Sequence, residues 1–358
     1  MDTTSAVLKP PSTKPQVSVA RLANHWYAVC ESRDLKNDPI ARTILGIPMV
    51  LFRTQAGEAG ALLDRCPHRN VPLSEGVVVA NTLQCAYHGW RFNPNGHCEE
   101  IPGLCGELAA RGREALSYRV KEQDGLLWVY CDPETEPQSE PFSPGCIHDK
   151  RYTTVRTQLT VQATLHATLE NILDVPHTAY LHGGLFRTSK KRNTITARVT
   201  RQGNRLETEY IGEPRPTGLM GKVLAPRGGT VVHFDRFVMP SIAEVDYRLG
   251  ERSHILASHL LTPINDFETQ LIAVISFRLP LPGWMVRPIL TPIFRKVFQQ
   301  DASMLMRQSE SVNRFGGERF VSTELDVMGP QIWQMLKRAA QGEDPPKEAK
   351  QRDVQMEV

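Results

Sequence analysis

The chain has 358 residues, of which 41% are hydrophobic and 23% charged, with a formal net charge of +3. This is a globular profile with length for two domains, and it excludes a dedicated nucleic-acid binder, because no block of Lys and Arg interleaves with aromatics. No uninterrupted run of about 18 apolar residues is present to span a membrane, and seven cysteines, few and odd in number, suit a reducing, cytoplasmic compartment where thiols serve chemistry and not a disulfide scaffold.

Residues 1–25 read as a disordered leader. Met1 to Gln16 is rich in Pro, Ser, Thr and Lys and lacks the apolar stretch of a secretory signal. From Trp26 to about residue 135 the pattern predicts an all-β domain of short strands, among them Pro48 to Arg53, Gly60 to Asp64, Thr82 to Cys85 and Gly125 to Tyr130, with a turn at Asn93-Pro94-Asn95-Gly96. Four prolines between Pro133 and Pro144 mark the boundary loop. Residues 136–342 change character. Arg151 to Ala163 alternates as a strand, and Thr164 to Leu181 carries apolar residues at helical spacing. Long alternating segments around residues 194–199, 205–211, 230–239, 241–249, 253–261 and 270–279 then predict a large antiparallel sheet. A helix is expected to open with Thr291 as cap and Pro292 at its first position and to run to about Asn313, with a shorter one over Pro330 to Gln341. Residues 343–358 read as a charged, fraying tail. The fold class is α+β.

Two loops of the first domain carry metal-ligand residue types. Cys66-Pro67-His68 is followed, after 16 intervening residues, by Cys85-Ala86-Tyr87-His88. A structural zinc would take two cysteines and two histidines tetrahedrally, whereas a Rieske [2Fe–2S] cluster gives two thiolates to one iron and two imidazoles to the other. Both loops run Cys then His, so each supplies one ligand to each iron. Zinc fingers keep their cysteines together and their histidines on a helix, and here the setting is all-β. Tyr87 and Trp90 flank the second loop, placed to pack over the cluster and limit water. Cys30, Cys98, Cys105, Cys131 and Cys146 read as ordinary thiols, Cys98 beside His97 included, because no second pair accompanies them.

At these residues the chain resembles a family. Cys66-Pro67-His68-Arg69 and Cys85-Ala86-Tyr87-His88-Gly89-Trp90 look like the Rieske motif of ring-hydroxylating and demethylating oxygenases. Respiratory-chain Rieske proteins carry an extra cysteine in each loop. Here Asn70 and Val71 follow Arg69, and Ala86 and Tyr87 separate the second pair, which points to the lower-potential oxygenase type.

A second constellation lies in Glu170-Asn171-Ile172-Leu173-Asp174-Val175-Pro176-His177, continuing to His182 and Gly183-Gly184. Asn171, Asp174 and His177 recur every three residues and share one flank of a helix. His182 lies about 140° further round an ideal helix, so both histidines face one metal only if the helix loosens, and Pro176 and the glycine pair make that plausible. In the later helix Asp301 shares a stripe with Phe294, Val297, Phe298 and Leu305. An unpaired acid on an apolar face is costly, so Asp301 should be paired or metal-bound; Glu310 and Asp326 are the rival acids. Two histidines and one carboxylate form the facial triad of non-haem Fe(II) oxygenases, a set that zinc hydrolases share. An electron source in the same chain favours iron. His254 and His259 repeat the five-residue separation, but in a strand an odd offset sends them to opposite faces, so they read as structural or as pocket lining.

The resemblance extends here. In Rieske oxygenases an Asp-x-x-His-x-x-x-x-His segment and a distant Asp after Gln hold the catalytic iron, and Asp174, His177, His182 and Gln300-Asp301 match. The resemblance implies a helix-grip catalytic domain, one [2Fe–2S] cluster on Cys66, His68, Cys85 and His88, and one mononuclear Fe(II) on His177, His182 and Asp301. It further implies a homotrimer in which the position of Asp174 bridges a cluster histidine, that of His88, and an iron histidine, that of His177, tuning its orientation. The activity implied is hydroxylation or oxidative demethylation of an apolar aromatic or sterol-like substrate with O2. No Gly-x-Gly-x-x-Gly fingerprint is present, so electrons come from a separate NAD(P)H-linked reductase, directly or through a ferredoxin. Arg69, Arg91 and Lys121 are candidates for its docking patch, solvated surface charge being the plainer reading. The alternative is a Rieske electron-transfer protein without oxygenase activity; a binding protein with a degenerate metal site is a third class. Leu279 to Phe298 reads as a lid, as a peripheral membrane contact, or as a plain core helix.

Overall fold

The computed structural model describes residues 17–106, 108, 112–183, 193–215, 230–346 and 348–357. They divide into two compact units, one of residues 23–143 and one of residues 17–22 with residues 144 onward. The Pro-rich boundary loop belongs to the first unit: the Trp26 indole donates to Ser139 O at 2.8 Å and the Gln123 amide to Pro141 O at 3.0 Å.

The first unit is all β, as its patterning predicts. β1 (Trp26–Glu31), β2 (Ile40–Ile44), β3 (Ile47–Arg53), β4 (Ala59–Leu63), β9 (Ser117–Gln123) and β10 (Leu126–Tyr130) form one sheet in the order β1-β10-β9-β4-β3-β2. β5 (Val77–Val79), β6 (Thr82–Gln84), β7 (Arg91–Phe92) and β8 (Cys98–Glu100) form a smaller one. β10 is buried throughout its Leu-Leu-Trp-Val-Tyr run, the mark of a strand covered on both faces. Asp124-Gly125, both at positive φ, close the β9–β10 hairpin with the twist that matches the strands. Val50, Phe52 and Leu62 of the larger sheet pack with Leu83 and Phe92 of the smaller one, and Cys66 and Cys85 sit in that same cluster.

The second unit is built on an eight-stranded antiparallel sheet. β11 (Thr153–Val161), β12 (Thr194–Gln202), β13 (Arg205–Ile211), β14 (Val231–Val238), β15 (Ile242–Leu249), β16 (Ser253–Asn265), β17 (Glu268–Arg278) and β18 (Lys350–Glu357) lie in the order β11-β17-β16-β15-β14-β13-β12-β18. Its apolar face packs against α1 (Leu165–Ile172), α3 (Gly283–Arg314) and α4 (Gly329–Ala340), with the single turn α2 (Thr178–Leu181) following α1. Val286 and Leu290 of α3 meet Ala273, Ile275 and Phe277, and Leu165, Leu169, Ile332 and Leu336 join Phe237, Leu261 and Leu271. The other face carries ion pairs: Asp246 is contacted by Arg236 at 3.0 Å, Arg248 at 2.9 Å and His254 at 2.9 Å.

Three expectations are corrected. Residues 1–16 of the expected leader lie outside the described residues, but residues 17–25 are not loose: Arg21 grips both oxygens of Asp266 at 2.6 Å and Leu22 is buried in the core of the second unit. The supposed fraying tail is an edge strand, β18, paired with β12 and held by Met356 in the core and by Arg198 on Asp353. Charge density hid a period-two pattern there. Finally, α3 begins at Gly283, eight residues before the expected cap. Thr291 lies inside it and donates its hydroxyl to Arg287 O at 2.8 Å, while Pro288 and Pro292 are accommodated on the exposed side.

The inner face of β14 also holds a buried His233, with Nδ1 at 2.6 Å from Glu213 and Nε2 at 3.0 Å from Asp235, both carboxylates only 2% exposed. Burial opposes charging the ring, but the two carboxylates outweigh it and push it up to about 9. A folded-state value above the ordinary one stabilises the fold below about pH 6.5, a contribution lost as pH rises through about 9. His233→Gln is therefore expected to cost roughly 3–5 kcal/mol at pH 6, as for other broken buried pairs. Denaturant unfolding at pH 6 and pH 10 should show the gap to wild type shrinking at the higher pH.

Candidate metal centres

In the first unit the two ligand loops share one backbone design. Cys66 N–H donates to Val71 O at 2.8 Å and Asn70 N–H to Cys66 O at 2.9 Å; Cys85 N–H donates to Trp90 O at 2.8 Å and Gly89 N–H to Cys85 O at 3.1 Å. The fourth residue after each cysteine is left-handed, Asn70 at φ 60° and Gly89 at φ 72°, conformations that asparagine and glycine tolerate best. At Gly89 a Cβ would also lie 3.0 Å from Pro102. Each loop so closes on itself and offers one sulfur and one imidazole.

The four side chains meet as two like pairs. The Cys66 and Cys85 thiols interact with one another, and both residues are 2% exposed. The His68 and His88 rings lie edge to face with centroids 4.5 Å apart. Burial, with the neighbouring Cys85, pushes the Cys66 thiol up to about 11, so its thiolate needs a cation beside it. His68 Nδ1 is buried without a hydrogen bond. Sulfur with sulfur and ring with ring is the ligand partition of a Rieske cluster, and the set fits that group. Trp90 stacks on His68 at 4.9 Å, within 6° of parallel. Tyr87 covers only the outer side of His88 and is itself 63% exposed. The remaining cysteines form no second set: Cys98 donates to Glu100 O, and His97 pairs with Glu114. Two of the three basic residues considered for docking are engaged with acids, Arg91 with Glu100 and Lys121 with Glu140.

In the second unit Thr164 caps α1, accepting from Ala167 N–H at 3.1 Å. The helical segment expected over Thr164 to Leu181, with a distortion at Pro176, is two separate helices. α1 stops at Ile172, because Pro176 has no N–H and disfavours helical backbone at the residue before it. The break supplies the turn that brings both histidines round. Asp174 Oδ2 accepts His177 N–H at 3.1 Å, and His177 Nδ1 donates to Asp174 O at 2.5 Å. His182, 2% exposed, donates from Nδ1 to Gln300 Oε1 at 3.0 Å. With both Nδ1 atoms engaged, the Nε2 atoms face Asp301 Oδ1, at 3.0 Å from His182 and 3.6 Å from His177. The three ligand atoms all lie within 4.8 Å of one another.

Asp301 Oδ1 is buried and has no hydrogen bond. Burial raises its carboxyl, but the two histidines outweigh that and hold it below the usual range. Burial likewise opposes charge on His177, yet Asp174 and Asp301 push it up to about 9. Without a metal, a proton on His177 serves the carboxylate; a metal ion in its place takes both Nε2 atoms and the Asp301 oxygen at once. The set fits a mononuclear iron of the facial type.

The rival acids lie elsewhere in role: Glu310 is exposed, and Asp326 caps a turn by accepting from Thr323 N–H at 2.6 Å. Asn171 contributes its carbonyl to Asp174 N–H at 3.4 Å. His254 binds Asp246 and Tyr152 on one face of the sheet, while His259 sits on the other, against Phe298 of α3 with burial pushing it down to about 4. Gly184 lies outside the described residues. Sequence reading missed Gln300, noted only as the residue before Asp301, and Glu170, which burial and the nearby Asp326, Asp174 and Glu318 push up to about 7. A polar residue on the inward side of α3 next to Asp301 was the signal for the first.

Residues 25–109 match the Rieske [2Fe-2S] domain, and residues 161–342 match the vanillate O-demethylase oxygenase C-terminal domain, half of the chain. The oxygenase component of dicamba O-demethylase from Stenotrophomonas maltophilia is 37% identical over 160 residues, covering 44% of this chain and 47% of that protein. The likeness to that relative thus spans about half its length. The oxygenase component of chloroacetanilide N-alkylformylase from Rhizorhabdus wittichii is 27% identical over 258 residues, covering 68% of this chain and 72% of that one. The crystal structure of dicamba monooxygenase bound to dicamba superimposes with a TM-score of 0.78 at 25% identity, covering 90% of this chain and 98% of that one. The paired loops, the His-His-Asp cluster and these matches together place the chain in the Rieske oxygenases, a family of oxidoreductases with a [2Fe–2S] cluster and a mononuclear iron, in the branch with a vanillate O-demethylase type of C-terminal domain.

Proposed function

We propose that the chain is an oxygenase component that uses O2, and electrons from a separate NAD(P)H-linked reductase, directly or through a ferredoxin, to hydroxylate or oxidatively demethylate an apolar aromatic or sterol-like substrate. The observation that carries this is the convergence of His177, His182 and Asp301 in a chain that also holds the paired Cys and His loops. A simple Rieske electron carrier has no use for that second set. In this reading Cys66 and Cys85 hold one cluster iron, His68 and His88 the other, and His177, His182 and Asp301 the mononuclear iron. When bound, the cluster supplies single electrons and the mononuclear iron supplies the O2-activating centre.

The rest of the work falls to the protein. Asp174 O accepts a hydrogen bond from His177 Nδ1–H and Gln300 Oε1 one from His182 Nδ1–H, so each imidazole is oriented with Nε2 toward Asp301, where it would ligate. Trp90 shields one face of His68 from water. Phe294 and Phe298 line the flank of α3 that leads to Asp301 and meet Ile255 and Ile275 of the sheet, which supports an apolar substrate. The demethylase and N-alkylformylase named among the relatives favour removal of a small carbon group from oxygen or nitrogen. A cytoplasmic homotrimer completes the reading, with Asp174 bridging His177 and the partner subunit's His88.

Iron counting tests the assignment. The loaded protein should hold three irons per chain, two released with acid-labile sulfide, and Asp301→Ala should hold two; two in the wild type would return it to the carriers. Gln300→Leu should weaken the third iron about 10–100-fold, as loss of an orienting partner does elsewhere, with the cluster spectrum unchanged, read by chelator competition. Asp174→Asn should keep all three irons yet lower coupled NAD(P)H and O2 consumption roughly 100-fold or more; retained turnover would remove the bridging role. Screening aromatics, sterols and methylated substrates for formaldehyde release separates demethylation from hydroxylation.

A further inference from the structure

The first turns of α3 present a surface that the metal chemistry leaves unused. Val286 and Leu290 face the sheet, while Leu281, Trp284, Met285 and Ile289 point outward, with exposures of 54%, 77%, 46% and 54%. Pro288 and Pro292 continue the same exposed stripe, because residues four apart lie above one another on a helix. Arg287, Arg295 and Lys296 are exposed beside it, and no acidic residue occurs between Glu268 and Asp301. An open groove of about 770 Å³ runs between the start of β11 and the start of α3, with Thr153 on one side and Trp284, Arg287, Pro288, Pro292 and Arg295 on the other.

We propose that this stripe docks the protein on an anionic phospholipid bilayer, α3 lying in the interface with its apolar stripe toward the acyl chains and the groove receiving a phosphate headgroup. Three observations select lipid over other occupants. Apolar and cationic side chains alternate at one level with a highly exposed tryptophan, the composition of interfacial helices. From Leu281 to Ile289 the outward side chains offer only two hydrogen-bonding groups, the Trp284 indole and the Arg287 guanidinium, too few for register against a protein partner. A second copy of the chain set face to face would bring the same three cations together. The contact is peripheral, since no helix among the described residues is long and apolar enough to cross a membrane. The proposal does not depend on the oxygenase reading, and its deciding readout, vesicle binding, uses no turnover.

The full-length, metal-loaded chain should co-sediment with phosphatidylcholine vesicles containing about 30 mol% phosphatidylglycerol, roughly 10–100-fold more tightly than with phosphatidylcholine alone, given about a factor of five per basic residue at an anionic surface. Raising salt to about 0.5 M should erase most of that difference. Trp284→Asp with Ile289→Asp should abolish binding to both vesicles, and Arg287→Gln with Arg295→Gln and Lys296→Gln should reduce anionic binding to the phosphatidylcholine level. Iron content and unfolding midpoints equal to wild type establish that the variants are folded. Wild-type protein left in the supernatant overturns the proposal, as does vesicle binding unchanged in both variants. A change of oligomeric state in the Trp284→Asp, Ile289→Asp variant assigns the face to a second copy. Loss of reductase coupling with unchanged vesicle binding in the cation variant assigns it to an acidic protein. Either result also overturns the lipid reading.

Discussion

Two imidazoles whose Nδ1–H groups are already engaged in hydrogen bonds set the terms for the second unit. Once His177 donates to Asp174 O and His182 to Gln300 Oε1, both Nε2 atoms are turned toward a carboxylate oxygen. That arrangement needs positive charge, a proton on His177 or a metal ion between the three groups, so the site is built to hold a cation. The requirement reaches outward. The chain must break after Ile172 to turn His182 toward His177, and α3 must be long and rigid enough to carry Gln300 and Asp301 side by side, one orienting a ligand and the other acting as one. The sheet supplies the flat apolar support on which these helices keep their registers.

The first unit solves a related problem with backbone alone. Each ligand loop is closed by the same pair of main-chain hydrogen bonds and the same left-handed fourth residue. Cys66 and Cys85 sit in the core shared by the two sheets of this unit, whereas His68 is half-buried and His88 exposed. Burial on the thiol side protects the sulfurs and raises their need for a metal, and exposure on the imidazole side leaves His88 accessible, which suits the proposed passage of electrons. This asymmetry follows from where each loop meets its strand, not from the four ligand types.

The sequence was most informative where chemistry needs fixed spacing. Cys66-x-His68, Cys85-x-x-His88 and Asp174-x-x-His177 are short-range constraints, so they can be read from a single chain, and strands such as β12, β13 and β14 follow their alternation. The need for a bend before His182 was also legible, because ideal helix geometry forbids the alternative and Pro176 supplies the means. What escaped reading depends on tertiary context. Pro288 and Pro292 signalled a helix start by local rule, yet both prolines lie on the solvent side of α3, where the missing amides leave no buried carbonyl bare, and the sheet contacts of Val286 and Leu290 override the rule. Residues 17–22 carry no periodicity and are fixed by single anchors to Asp266 and Glu318 far along the chain. The last strand is charged because it is an edge, and its pairing with β12 cannot be inferred from composition. Gln300 gains its meaning only when His182 is placed beside it.

Charge balance explains the remaining acids around the proposed iron. A cation at the site would be balanced first by Asp301, whose carboxyl the two histidines hold below the usual range. Glu170, four residues before Asp174 on the same face, would add a further negative charge. Burial, reinforced by Asp326, Asp174 and Glu318, pushes it up to about 7, so below that pH it keeps its proton. Gly329 at the start of α4 maintains the arrangement, since a Cβ there would lie 1.9 Å from Glu170 Oε1 and drive the side chain from its place. The packing of α4 against α1 therefore does more than fill the core: it holds the Glu170 carboxyl in buried, acidic surroundings that disfavour its charge, beside the site where Asp301 faces the histidines.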